Sequence, residues 1–273
     1  MAEETETGFQ LTGSAPERYE RYVAPIMAPF VEAVVDAVDL FPGAMVLDLA
    51  CGTGFAARVA AARVGPAGRV FGADANDGML KVAAAHHPRM YPDIEFTVAP
   101  ADQLQYADDT FDAVVCQQGA QFFPDLDAAF AQTARVTRPG GRFAATVWAS
   151  MDKSPYFVAQ QRAIAEHGGP EAAAAFAAAF SCTAERLTTA LRRAGFQQVT
   201  DREVTFGIDL PPLPDFAAGH LSALPWGQAI ADTGGQEALT SAGRTVHDLL
   251  RDHTAPDGTA TVSFTSTLVT GVR

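Results

Sequence analysis

Val46-Leu47-Asp48-Leu49-Ala50-Cys51-Gly52-Thr53-Gly54 is followed, after an alanine-rich segment, by Val70-Phe71-Gly72-Ala73-Asp74. An apolar run that ends in Gly-x-Gly and opens onto an alanine-rich amphipathic segment reads as a strand, a tight turn and a helix. Glycines at the turn let the backbone pass close to a ligand, because no side chain obstructs it. The second run ends on an acid, placed where a carboxylate can accept both hydroxyls of a ribose. Together these make a nucleotide-type βαβ unit, which implies a parallel sheet.

Outward from it the same rhythm continues. Strands are predicted over 44–50, 69–74, 94–99, 112–117 and 141–148, with helices over 25–38, 54–63, 77–87 and 125–136. Pro88 is expected to end the third of these helices, and Pro139-Gly140-Gly141 to supply the turn into the fifth strand. Beyond Trp148 the pattern changes. Residues 152–180 are alanine-rich and helical, 185–194 form a helix capped by Gly195, and 198–206 and 259–272 alternate as strands around a helical insertion at 215–253. The expectation is an α/β, Rossmann-like, seven-stranded, mostly parallel sheet with helices on both faces and helical insertions over the carboxyl edge. Residues 1–43 would be an N-terminal helical lid segment, 44–148 the cofactor-binding core, and 149–273 the rest of the same domain.

Composition narrows the partners. The 273 residues are 48% hydrophobic and 19% charged, enough to bury a large core, and the formal net charge is -13. Such a surface repels a phosphate backbone, and Arg186, Arg192 and Arg193 read as a solvated helix face, so no nucleic-acid partner is expected. No apolar stretch has the length of a membrane span. The acidic start, Met1-Ala2-Glu3-Glu4, is unlike a signal peptide, so a cytoplasmic location is expected, with residues 1–7 disordered. Cys51, Cys116 and Cys182 are too few and too scattered for a disulfide framework or zinc cluster, and no metal site is expected. The chain is expected to act as a monomer or homodimer.

Gly52-x-Gly54-x-x-Ala57 also fits the dinucleotide fingerprint, which leaves an NAD-dependent oxidoreductase as an alternative. Asp48 separates the two readings. It precedes Gly52 by four residues, where it would repel a pyrophosphate but attract a cation such as the ammonium or sulfonium of S-adenosylmethionine.

This strand and loop, together with Gly72-Ala73-Asp74-Ala75-Asn76-Asp77-Gly78-Met79-Leu80, resemble the class I methyltransferases of the quinone-biosynthesis and type 11 small-molecule group. Phe111-Asp112-Ala113-Val114-Val115-Cys116, Phe123-Pro124-Asp125 and Arg138-Pro139-Gly140-Gly141-Arg142 resemble three further blocks of that family, and the likeness spans about residues 19–148. The resemblance implies S-adenosylmethionine as cofactor and S-adenosylhomocysteine as product. It implies that Asp48 faces the methionine ammonium while Ala50, Gly52, Thr53 and Gly54 surround the amino-acid tail. It further implies that Asp74 holds the ribose, Ala75 and Met79 pack on the adenine, Ala101 and Asp102 cap the adenine edge, and Gln117 lies near the sulfonium. Pro100 departs from the family, whose members often carry Asp or Asn there. Tyr19 and Tyr22 resemble an N-terminal lid over the cofactor.

The acceptor half is less legible. His167 and His220 are the candidate catalytic bases, since both fall in helical segments expected to cap the strand ends. Gln118, Gln121 and Trp148 follow strands at the carboxyl edge, where open α/β sheets bind ligands, and Tyr156 is an apolar-wall candidate. The expected activity is methyl transfer to a small, fairly apolar metabolite on oxygen, carbon or nitrogen. A protein of the same fold that holds the cofactor structurally, or catalyses a cyclisation or rearrangement, is the other reading.

Overall fold

A computed structural model of the chain describes residues 11–85 and 92–273. Its centre is a seven-stranded sheet in the order β3-β2-β1-β4-β5-β7-β6. The strands are β1 (Met45–Leu49), β2 (Arg69–Asp74), β3 (Ile94–Val98), β4 (Phe111–Gln117), β5 (Thr137–Trp148), β6 (Gln197–Leu210) and β7 (Ala260–Val272). β1 pairs in parallel with both β2 and β4, and β7 runs antiparallel between β5 and β6. Chain order reverses direction at β1, so the crevice beyond the ends of β1 and β4 is the topological switch point at which such sheets take ligands.

β1 is buried on both faces. Val46 belongs to one apolar layer with Phe30 and Val34, whereas Leu47 and Leu49 belong to the other with Phe130 and Phe143. That two-sided burial explains why the run is continuously apolar apart from Asp48. The layers are covered by α1 (Ala15–Tyr22), α2 (Ala24–Asp36), α3 (Phe55–Val64), α4 (Asp77–Ala85) and α5 (Leu126–Val136). The helices that follow are α6 (Pro155–Gly168), α7 (Pro170–Ala178), α8 (Ala184–Arg193), α9 (Leu213–Ser222) and α10 (Pro225–Leu249). None of the described helices is long and apolar enough to cross a membrane.

Three local readings are revised. Pro139-Gly140-Gly141 is a bulge inside β5 and not a turn ahead of it: Phe111 pairs with Thr137 and Ala113 with Arg142. Pro139 has no N–H to give to a ladder, so the extra residues leave the register, and the end of the chain covers them through Gly140 N–H to Arg273 O (2.7 Å) and Arg273 N–H to Gly141 O (2.9 Å). The alanine-rich stretch is two helices broken at Gly169-Pro170. The insertion at 215–253 is also two helices, the second kinked where Gly234 and Gly235 leave helical geometry. The expected helix end at 86–88 and the acidic start lie outside the described residues.

Candidate active site

The loop after β1 is held from two sides by carboxylates. Asp48, 1% exposed, accepts the Ala57 N–H at 2.7 Å through Oδ2 and so ties the strand to the first turn of α3. Its Oδ1 is buried without a partner. Asp74 accepts the Gly52 N–H at 2.8 Å on Oδ2 and the Asn76 N–H at 2.8 Å on Oδ1. Each Asp74 oxygen keeps a further lone pair for a ligand hydroxyl. Gly54 enters α3 with φ of 79°, a conformation that costs glycine nothing and other residues about 1 kcal/mol or more.

Burial dominates the electrostatics. It pushes Asp48 up to about 8, with Asp74 adding to the rise, while the Ala57 N–H and Arg58 oppose it. Asp74 is raised as well, by burial, against the two N–H donors that lower it. Two buried acids at one loop, both raised by burial, are an arrangement poised for a positively charged ligand.

The loops after β1 and β4 lie back to back. Ala50 and Gln118 both take left-handed backbone, with φ of 55° and 53°. Such strain in non-glycine residues persists only where the surroundings enforce it, commonly at ligand sites. Gly119 makes the approach possible: a Cβ there would stand 2.5 Å from the Ala50 Cβ.

Beyond these loops opens a cavity of about 420 Å³. One end is lined by Tyr19, Ala50, Gly52, Asp74, Ala75, Met79, Ala101, Asp102 and Gln117; the other by Gln118, Gln121, Phe122, Trp148, Phe157, Phe176, Phe180, His220 and Trp226. A side cleft of about 30 Å³ adjoins it, lined by Asp48, Thr53, Gly52, Ala50, Tyr19 and Gln117. That volume suits a water or an ammonium group against the unpaired Asp48 oxygen.

Most residues expected at the site from the sequence meet at these two spaces. Gly54 lines neither and serves as the turn. Tyr22 also lines neither; its ring packs on Gly219, where a Cβ would lie 2.5 Å from it, and edge-on to Phe216. Tyr19, one helical turn earlier, lines both spaces. His167 lies at the end of α6 with its Nε2 against Thr245 Oγ1 at 2.9 Å, away from the cavity. Tyr156 is fully buried behind the wall, its Oη 3.1 Å from His220 Nδ1. Gln118 gives its amide N–H to Ser266 Oγ at 2.7 Å and keeps a buried Oε1 without a partner, and Gln121 Oε1 accepts the Trp148 N–H at 3.3 Å.

Sequence reasoning missed Asn76, Gln160, Phe176 and Phe180. Asn76 is buried, accepts the Met79 N–H and donates to Leu11 O at 3.0 Å, so it ties the segment before α1 to the start of α4. Its position one residue before Asp77 was a legible helix-start signal. Phe176 and Phe180 sat in an alanine run with no periodic cue, and Gln160 shows its partner only in three dimensions.

The family described as methyltransferase domain matches residues 46–141. A demethylmenaquinone methyltransferase of Streptomyces avermitilis is 34% identical over 187 residues, covering 64% of this chain and 78% of that enzyme. The nocamycin O-methyltransferase of Saccharothrix syringae is 33% identical over 129 residues, 47% of this chain and 46% of that protein. In fold, the chain matches the Haemonchus contortus phosphoethanolamine N-methyltransferase 2 solved with S-adenosyl-L-methionine, with a TM-score of 0.61, 18% identity and coverage of 96% of this chain and 57% of that one.

Proposed function

This chain belongs to the class I S-adenosylmethionine-dependent methyltransferases of the quinone-biosynthesis-like group, and from that premise we propose that its acceptor is a quinone, phenol or natural-product-like compound, small and largely apolar. The enzyme transfers a methyl group from S-adenosylmethionine to a small molecule. The observation that carries the finer reading is the continuity of one cavity, polar and acidic at the β1–β2 end and walled by Trp148, Phe157, Phe176, Phe180 and Trp226 at the other.

The residues at the first end suit the cofactor. The unpaired Asp48 oxygen is a seat for the methionine ammonium, directly or through one water, and the free lone pairs of Asp74 suit the ribose hydroxyls. Ala50, Gly52 and Thr53 would border the amino-acid tail, Ala75, Met79, Ala101 and Asp102 the adenine, and Gln117 the sulfonium region. When bound, the cofactor supplies a methyl group on a sulfonium, open to in-line displacement by an acceptor lone pair. What the protein adds is alignment and exclusion of water, and alignment of this kind is worth on the order of 7 to 11 kcal/mol. Gln118, Gln121 and Trp148 would border the acceptor. A net charge of -13 argues against nucleic acid as the substrate.

Calorimetry with S-adenosylhomocysteine, followed by transfer of labelled methyl from S-adenosylmethionine to a panel of hydroxyquinones, phenols and polar amines, tests the reading. Tight cofactor binding with label on the first two classes is the expected outcome. Label confined to the amines would overturn the acceptor class.

A further inference from the structure

His220 is the one imidazole on the cavity wall among the described residues, and its surroundings dictate what it can do there. It is 2% exposed, and its ring stacks on Phe216 at 5.8 Å and 15°. Its Nδ1 is approached by Tyr156 Oη at 3.1 Å and Gln160 Nε2 at 2.8 Å. Neither partner lines the cavity, so the ring turns its Nδ1 edge inward to the protein and leaves the Nε2 edge for the cavity.

Donor accounting then sets the tautomer. The Tyr156 hydroxyl is fully buried, and Nδ1 is its hydrogen-bond partner. An O–H buried without an acceptor costs about 1–3 kcal/mol, so Nδ1 must present its lone pair. With Nδ1 as acceptor, the Gln160 amide turns its N–H2 side to the same lone pair, which it shares with the Tyr156 hydroxyl, and its own buried Oε1 is left without a partner. The single proton of the neutral ring is therefore on Nε2. A second proton has no place to go: on Nδ1 it would meet two donors. Burial acts in the same direction, lowering the His220 pKa to about 3.

Resting on the methyltransferase reading above, we propose that His220 touches the acceptor as a fixed Nε2–H hydrogen-bond donor to an anionic oxygen and not as a base, with Tyr156 and Gln160 as the positioning residues that hold it so. The acceptor class follows. Among the described residues no lysine or arginine lines the cavity, and the acids on its wall are Asp74, Asp102 and Asp125. Ionisable neighbours of the His220 helix include Tyr156 from α6, Tyr22 from α1, and Arg18, whose Nε bonds Ser222 O at 2.9 Å. With His220 a donor and not a base, the fitting acceptor is a phenol or enol acidified by a conjugated carbonyl, which enters as its anion. The anionic oxygen forms one bond to the methyl carbon while the carbon–sulfur bond breaks with its pair going to sulfur. The negative and positive charges cancel, and no proton is left to remove.

The test is two-bond proton–nitrogen NMR of the full chain labelled with nitrogen-15 histidine, the His220 signals being identified by their loss in His220→Gln. The expected result is an Nε2–H pattern unchanged from about pH 5.5 to 8.5, where ordinary histidines titrate. An Nδ1–H pattern, or a titration in that range, would overturn the proposal. Tyr156→Phe should admit the Nδ1–H form, since Gln160 is then free to turn its oxygen to the ring; an unchanged pattern removes Tyr156 from the positioning role. For the ligand, 4-nitrophenol is titrated into the protein with S-adenosylhomocysteine bound. It should bind as the yellow phenolate, roughly tenfold more weakly to His220→Phe and near wild type to His220→Gln, whose amide restores an N–H donor. Binding as the neutral phenol, equal binding by His220→Phe, or no binding refutes the oxyanion assignment. Cofactor calorimetry, read separately, reports on the methyltransferase reading itself.

Discussion

Asp48→Asn is the most informative substitution because its two expected effects have opposite signs. Asparagine keeps the shape and still accepts the Ala57 N–H, but it removes the charge that burial disfavours. The wild-type carboxyl moves from its ordinary 3.8 to about 8 in the fold. Between those values the native state binds more protons than the unfolded chain, so the stability that Asp48 allows falls as pH rises from about 4 to about 8 and levels off above. At about 1.4 kcal/mol per pH unit, the full span bounds the cost of ionising Asp48 in the empty fold at about 6 kcal/mol. The cofactor's ammonium favours the ionised form. Wild-type affinity for S-adenosylhomocysteine should therefore climb up to tenfold per pH unit towards pH 8, with proton release on binding. Asp48→Asn should unfold at a higher temperature than wild type, by a margin that widens from pH 5 to pH 8. It should bind S-adenosylhomocysteine about 10- to 150-fold more weakly, the loss of a hydrogen bond to a charged group, and with no pH dependence from this residue. Thermal unfolding across pH, and calorimetry in buffers of different ionisation enthalpy, measure both. A variant less stable than wild type at pH 8, or one that binds with unchanged affinity, would refute the reasoning.

Asp74→Asn keeps one acceptor for two part-buried N–H groups, so it should lose about 1–3 kcal/mol of stability by chemical denaturation and a similar amount of cofactor affinity by calorimetry. Gly119→Ala drives a methyl into Ala50 and should cost about 1–3 kcal/mol in the same denaturation assay, with weaker cofactor binding because the two loops are forced apart. His167→Ala should leave the methyl-transfer rate within about twofold, since its ring bonds Thr245 away from the cavity; a large loss would return His167 to the site.

The cofactor half was legible because its chemistry is local. Gly52, Gly54 and Asp48 stand within one strand and turn, and Asp74 ends the adjacent parallel strand, so spacing along the chain maps directly onto spacing in the loop. The acceptor half was not, because its wall is assembled from α6, α7, α9 and α10, whose crossings depend on packing and not on period. Thus His167 and His220 looked alike as lone histidines on helices, yet one bonds a threonine on α10 and the other faces the cavity. Tyr19 and Tyr22 looked like a pair, and the helix turns one to the cofactor end and the other into α9.

From the amino-acid order alone came the parallel βαβ core, the glycine turn and the acids that answer a cationic adenosine cofactor. These are consequences of backbone sterics and of residues near one another in the chain. Tertiary structure alone decided that Asp48 has an oxygen without a partner, that Ala50 and Gln118 take left-handed backbone with Gly119 packed on Ala50, and that Tyr156 and Gln160 meet the His220 Nδ1. Each of those depends on burial and on partners distant in sequence, and the free energy of a buried polar group is set by whichever donor or acceptor the fold brings to it.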